Sequence, residues 1–273
     1  MVRTIDKAVV LAAGRGTRMQ APAGATLTSD QAAAADAGAK PLIPVGSDRP
    51  FLDYSLSALA DAGFSRICLV ISPGDVAIRA RYSTQLRLER LEIAFAQQAT
   101  ARGTADALLA ARDFAGDDEF LVLNADNYYP VAGLERLRAS GEPATLAFTR
   151  EGLLRSGQIE PDRLSRYALL DVGADGYLRD IVEKPDAELA RARGTAPISM
   201  NVWRFDRAIF QACQRVPLSM RGELELPTAV QVGLRAGELR IRALPINAPV
   251  LDLSHRADIP AVDAALRAIT VCL

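Results

Sequence analysis

Between Ala8 and Met19 the chain reads AVVLAAGRGTRM, an apolar run of strand length that breaks into Gly14, Arg15, Gly16, Thr17 and Arg18. Glycines after a buried strand let main-chain N–H groups face an anion, because glycine tolerates positive φ and leaves room for a ligand against the backbone. The dinucleotide fingerprint needs a third glycine where Met19 stands and an unbroken helix where Pro22 and Gly24 follow. The phosphate loop of the ATPases needs Gly-Lys-Ser/Thr, which is missing. What the loop does offer is two guanidinium groups beside flexible backbone, a combination suited to a triphosphate whose charge grows during reaction. The ordinary alternative is a structural turn.

Other candidate residues stand at the ends of later apolar runs. Asp126 follows FLVLN and Asp252 lies in PVLDLS. Carboxylates at the carboxyl ends of strands in an open α/β sheet sit where ligands bind, and two of them with phosphate oxygens suit Mg²⁺. Each alone reads more simply as a turn former. Lys184, in Glu183-Lys184-Pro185, would be a solvated lysine in most proteins.

The elements that must position these groups follow from the apolar runs. KAVVLAA, RICLVIS, EFLVLNAD and ATLAFTR are nearly continuous, as strands covered on both faces are. FLDYSLSALADAGF and TADALLAARDF between them carry helical spacing. This alternation predicts an α/β fold with a doubly wound, mixed but mostly parallel sheet. After Thr149 the rhythm changes: two strands in YALLDVGADGYLRDIVEKP meet at a turn around Asp175-Gly176, and ISMNVWRF, the helix PTAVQVGLRAG, a strand near LRIRALPI and a closing helix from Ile259 follow. The expectation is one domain over 1–273, with a nucleotide-binding core in 1–149 and a small α+β lobe in 150–273. No internal repeat and no hexapeptide β-helix tail is present. The alanine-rich stretch from Gln20 to Ala39 reads as a surface insertion or as a lid, with a short helix capped by Ser29 and stopped by Gly38.

Composition removes several classes. A formal net charge of −1 gives no nucleic-acid footprint, and Cys68, Cys213 and Cys272 are too scattered for a disulfide framework or zinc site. His255 is the only histidine, so mechanisms needing two are excluded. With no leader pattern and no apolar run near the roughly 18 residues of a membrane span, a cytoplasmic protein is expected. The closing helix packs internally or on a second copy, which leaves a homo-oligomer open.

LAAGRGTRM followed by KPLIPVG at Lys40–Gly46 resembles the signature of the sugar-1-phosphate nucleotidyltransferases, or nucleotide-sugar pyrophosphorylases. Gln97-Gln98 before RGTADALLAA, then LVLNADNYY, VEKPD, SMNVWRF, GELELP and VLDLSHRADI, continue it in order along nearly the whole chain. The resemblance implies a Rossmann-like, glycosyltransferase-A-like sheet without a left-handed β-helix domain. It implies that Leu11, Ala12, Ala13, Gly14, Gly16 and Thr17 line the nucleotide, with Arg15 clamping its phosphates and Lys40 near Pα. Gln97 or, one register away, Gln98 would read the base with Gly103 and Thr104. Lys184 would bind the sugar phosphate, Glu183, Asn201 and Glu223 the sugar, and Asp126 with Asp252 would hold Mg²⁺. The usual glycine two positions after the asparagine is replaced by Trp203, which bears on pocket depth. The long insertion, LVLNADNYYP and RGELELP are similar to members acting on cyclitol phosphates, such as valienol-1-phosphate guanylyltransferases. Base identity stays open, since Gly-Thr-Ala-Asp-Ala is reminiscent of adenylyl members, guanylyl members share Gly-Thr, and uridylyl and thymidylyl members carry the glutamine.

The implied reaction joins an NTP to a sugar or cyclitol 1-phosphate and releases pyrophosphate by in-line displacement. A phosphate oxygen is already a charged nucleophile, so neither a general base nor a covalent intermediate is needed. Two other classes compete. A silent nucleotide-sugar sensor would lack Arg15, Lys40 or an acidic ligand, and a dehydrogenase would need an acidic residue where RICLVIS closes in Ser72-Pro73.

Overall fold

The computed structural model describes residues 4–21 and 24–273; Pro22, read as one of the two interruptions after the glycine loop, lies outside them. Its centre is a ten-stranded sheet. In chain order the strands are β1 (Lys7–Leu11), β2 (Arg66–Ile71), β3 (Glu92–Gln97), β4 (Phe120–Asn124), β5 (Ala144–Phe148), β6 (Ala168–Val172), β7 (Leu178–Val182), β8 (Ile198–Ser199), β9 (Trp203–Phe205) and β10 (Arg242–Ile246). Across the sheet they run β7-β6-β8-β5-β9-β4-β1-β2-β3, with β10 pairing in parallel to β5. The block β3-β2-β1-β4 is wholly parallel, and β9 enters antiparallel between β4 and β5.

The continuous apolar runs have a direct cause. In β1, Ala8 and Val10 point into one core and Val9 and Leu11 into the other, so both faces of the strand are covered. The strand β3 was not legible in the same way, because its half-exposed residues at the sheet edge carry no comparable run. The stretch read as one helix in TADALLAARDF divides into α-helices Thr104–Ala110 and Arg112–Ala115. The closing helix, Ile259–Leu266, packs internally: Ile259, Val262 and Leu266 are buried with Met19, Ile43, Val45, Phe51 and Tyr54.

The alanine-rich stretch forms a helix over Ser29–Asp36, but its cap is Thr28, not Ser29. Thr28 and Gln31 exchange hydrogen bonds in a capping box, so the helix begins one residue earlier than the serine reading placed it. Gly38 follows with φ 68°, as a helix stop requires. Gln31 donates to the Pro44 carbonyl, and Arg256 pairs with Asp36. The helix is therefore a buttress tied to the Pro44 carbonyl and to Arg256, and none of the described residues of Gln20–Ala39 lines the cleft described below.

Among the described residues no helix is long and apolar enough to cross a membrane. Burial pushes the Cys68 and Cys213 thiols up to about 12, whereas Cys272 is exposed. Since the thiolate is the reactive form, alkylation at about pH 8 is expected to label Cys272 alone in the native protein and all three cysteines after unfolding. Intact-mass measurement before and after denaturant checks this; rapid labelling of two or three thiols in the native state would contradict the burial.

Candidate active site

One cleft of about 1030 Å³ opens at the carboxyl ends of β1 and β4. That is at or above the roughly 300–1,000 Å³ typical of a pocket for one drug-sized ligand, so two substrates have room. Of the residues read from sequence, Leu11 to Thr17, Lys40, Gln98, Gly103, Thr104, Asp126, Glu183, Lys184, Asn201, Glu223 and Asp252 line it together. Gln97 does not: it is the exposed last residue of β3, one step out of register.

The glycine loop forms the cleft floor. Among the described residues, no main-chain N–H from Ala13 to Gly16 donates to a backbone carbonyl, so these donors are left to a ligand. The two glycines serve different purposes. Gly16 has φ 62°, and a Cβ there would lie 2.2 Å from the Gly38 carbonyl oxygen. A Cβ on Gly14 would meet nothing within 4 Å, so only the cleft side of the loop needs that position small. Arg15 and Arg18 are exposed along the cleft and form no ion pair among the described residues.

The carboxylates Asp126 and Asp252, far apart in sequence, are joined by a two-stranded ribbon. Asn127–Tyr128 pairs with Leu251–Asp252 in the register Asp252 to Asn127, and the Leu253 N–H donates to the Asp126 carbonyl at 2.8 Å. The Asp126 carboxylate accepts from Lys40 Nζ at 3.1 Å. Asp252 is buried; its Oδ2 accepts from Arg163 at 2.9 Å and Tyr167 at 2.6 Å, and its Oδ1 from Ser254 at 2.7 Å. Burial first, and then the nearby charge of Asp126, push the Asp252 carboxyl above the usual range. A divalent cation between the two would relieve that repulsion. Among the described residues no third His, Cys, Asp or Glu joins them. Two carboxylates with room for phosphate oxygens and water is the donor set Mg²⁺ accepts, so the residues fit that ion.

The opposite wall is built on strained backbone. Lys184 has φ 46° and Asn201 φ 58°, left-handed conformations that side chains rarely adopt and that concentrate at functional sites. Lys184 Nζ lies 3.3 Å from both Glu183 Oε1 and Glu225 Oε1. Burial raises the Glu183 carboxyl above its ordinary range, with Lys184 opposing the shift and Glu225 adding to it. Arg221 closes the group by pairing with Glu223 and Glu225. Trp203, the departure at the asparagine motif, does not reach the cleft. It is fully buried, and its indole N–H donates at 2.8 Å to Asn201 Oδ1, while Asn201 Nδ2 donates at 3.0 Å to Asn124. The tryptophan thus holds the asparagine from behind and leaves the pocket open.

The third flank carries Gly103 and Thr104. Gly103 has φ 114°, and a Cβ there would lie 2.4 Å from the Leu224 carbonyl; Thr104 Oγ1 accepts from the Leu226 N–H at 2.8 Å. Both residues therefore fasten the loop at 222–226 as well as facing the cleft. Sequence reasoning missed Arg163, Tyr167, Arg221 and Glu225 as site residues. The cue available for the first two was a polar, arginine-rich loop, PDRLSRY, which looks like any solvated segment until the fold turns it against Asp252.

A family profile described as Nucleotidyl transferase matches residues 7–247. The chain belongs to that family. Its sequence is 28% identical to UTP–glucose-1-phosphate uridylyltransferase AglF of Haloferax volcanii over 92% of this chain and 93% of that protein. It is 30% identical to a glucose-1-phosphate thymidylyltransferase of Streptomyces griseus over 85% of this chain, which spans only 58% of that protein's length. A UDP-glucose pyrophosphorylase solved with UDP-glucose superimposes with a TM-score of 0.73 at 17% identity, covering 96% of this chain and 99% of the other. A UTP-bound enzyme of the same kind from Acinetobacter baumannii gives 0.69 at 20% identity, over 98% and 95%. At these identities the two structures establish the shared nucleotidyltransferase fold.

Proposed function

We propose that this nucleotidyltransferase joins a nucleoside triphosphate to a hexose 1-phosphate, giving an NDP-sugar and pyrophosphate by direct in-line displacement. The observation that carries the reading is the meeting, in one cleft, of a floor of main-chain N–H groups that donate to no backbone carbonyl among the described residues, a cationic wall and a carboxylate pair. The relatives named for glucose 1-phosphate support a hexose as acceptor.

In this reading Gly14, Gly16 and the adjoining N–H groups cradle the triphosphate while Arg15 neutralises its outer charge. Lys40, held on Asp126, lies by Pα. Lys184, held between Glu183 and Glu225, receives the phosphate of the sugar, and Glu183 and Asn201 face the sugar. Positioning two polyanions in line and offsetting the charge that grows on the leaving pyrophosphate is the whole catalytic task. Mg²⁺, held by Asp126 and Asp252, would supply further charge neutralisation at the transferring phosphorus. No residue needs to remove a proton from the attacking phosphate.

Pyrophosphate release with Mg²⁺, five NTPs and a set of sugar and cyclitol 1-phosphates tests the proposal. Release that requires both substrates is the expected result, with glucose 1-phosphate among the active acceptors. Binding of NTP without release from any pairing would turn the reading toward a sensor.

A further inference from the structure

His255, the chain's single histidine, lines the cleft three residues beyond Asp252, and the proposed reaction gives it no task. Its backbone is pinned. The His255 and Ser254 N–H groups donate to Asp258 Oδ2 at 2.7 and 3.0 Å, and Arg163 donates to the other carboxylate oxygen at 2.6 Å. The ring is held as well: the Asp258 N–H, which reaches the His255 carbonyl at 3.0 Å, also donates to the imidazole in a capping box.

That bond decides how the ring can serve. A ring nitrogen that accepts carries no proton, so in the neutral imidazole the other nitrogen is an N–H donor. Burial lowers the imidazole pKa, Asp258 opposes the shift, and the charges of Arg18 and Arg163 add to it, so the neutral form holds near pH 7. Among the described residues the outer N–H has no partner.

The glycine loop runs into the short helix Thr17–Gln20, which carries Arg18 and packs against the turn Arg256–Asp258. His255 thus borders the loop on the carboxylate side, whereas Lys184, between Glu183 and Glu225, stands on the opposite wall. In-line transfer puts the leaving group on the far side of Pα from the attacking phosphate. With the sugar phosphate at Lys184, the departing pyrophosphate falls on the side of Arg18 and His255.

We propose that His255 donates its outer N–H to an oxygen of the leaving pyrophosphate, and so separates a nucleoside triphosphate from the corresponding monophosphate. Being neutral, the ring supplies a hydrogen bond without adding a charge that would hold the product back. The inference rests on the proposed function for the direction of the triphosphate, but its test needs no turnover.

A single histidine makes the test direct, because the untagged chain labelled with ¹⁵N-histidine gives one set of ring signals. In Mg²⁺ at pH 7 the free protein should show one protonated and one bare ring nitrogen. The tightest binder among UTP, dTTP, GTP, CTP and ATP is then compared with its own monophosphate. The triphosphate and inorganic pyrophosphate are expected to move the signal of the protonated nitrogen, and the monophosphate to leave it in place. His255→Ala should weaken the triphosphate about tenfold or more, the scale of a hydrogen bond to a charged group, and the monophosphate by less than about twofold. His255→Asn, whose amide can accept from the Asp258 N–H and still donate outward, should recover most of that loss. A purely structural role would weaken triphosphate and monophosphate alike, and that result overturns the proposal. So does a bound triphosphate that leaves the ring signals unmoved. If the signals move but no sugar 1-phosphate yields pyrophosphate, the proposed function fails and the histidine contact stands.

Discussion

Asp126→Ala is expected to lower pyrophosphate release by about 10²-fold or more, the usual cost of removing one charged contact that acts at the reacting centre. The carboxylate is partly exposed in the cleft and its one side-chain partner among the described residues is Lys40, so the substitution takes away a potential metal ligand and frees the lysine together. The fold should tolerate it. The ribbon between Asn127–Tyr128 and Leu251–Asp252 uses main-chain groups, and the bond from the Leu253 N–H goes to the Asp126 carbonyl rather than its side chain. Initial rates across a Mg²⁺ titration, alongside a thermal melt, separate the cases. A melt close to wild type with a rate that saturating Mg²⁺ does not restore is the expected outcome; near-wild-type turnover would refute the assignment.

Gly16→Ala should strike both the fold and the nucleotide. The new Cβ would lie 2.2 Å from the Gly38 carbonyl oxygen and 2.8 Å from its Cα and carbonyl carbon, all main chain, and the residue must keep φ 62°. Overpacking and left-handed strain together cost about 2–4 kcal/mol. Relief by moving the loop would take the N–H groups of Ala13 to Gly16 off their common aim, so triphosphate affinity should fall as well. Gly14→Ala is the informative partner, because its Cβ meets no protein atom. It is expected to melt like wild type while binding NTP more weakly, by crowding the ligand alone. Equal melting temperatures for the two variants would show that the contact between Gly16 and Gly38 does not set the loop.

The parallel core was legible because buried strands leave a mark in one dimension. KAVVL and FLVLN are apolar throughout since alternate residues feed opposite cores, and the loop after the first of them stood out because glycine and arginine interrupt that run. β3 left no such mark, being a half-exposed edge, and the register that selects Gln98 over Gln97 depends on where β3 ends. The insertion was ambiguous for the same reason: eight residues rich in alanine, over Ser29–Asp36, fix a helix but not the surface it rests on.

What the sequence determined by itself is therefore chemical identity in order: a glycine-arginine loop, then Lys40, Asp126, Lys184 and Asp252, at the ends of runs whose periodicity makes them strands or turns. Those features are local, set by residue type and by neighbours a few positions away. The tertiary structure decided which of them meet. The ribbon register brings Asp126 beside Asp252, and the fold turns Arg163 and Tyr167 onto the latter. It sets the Gly38 backbone against Gly16, so that one loop glycine is required by packing and the other by the cleft. It also places Asp106 within reach of Gln98, whose Nε2 donates to the carboxylate at 2.8 Å. Pairings of this kind depend on strand register and on the close approach of distant backbone, and neither leaves a signature along the chain.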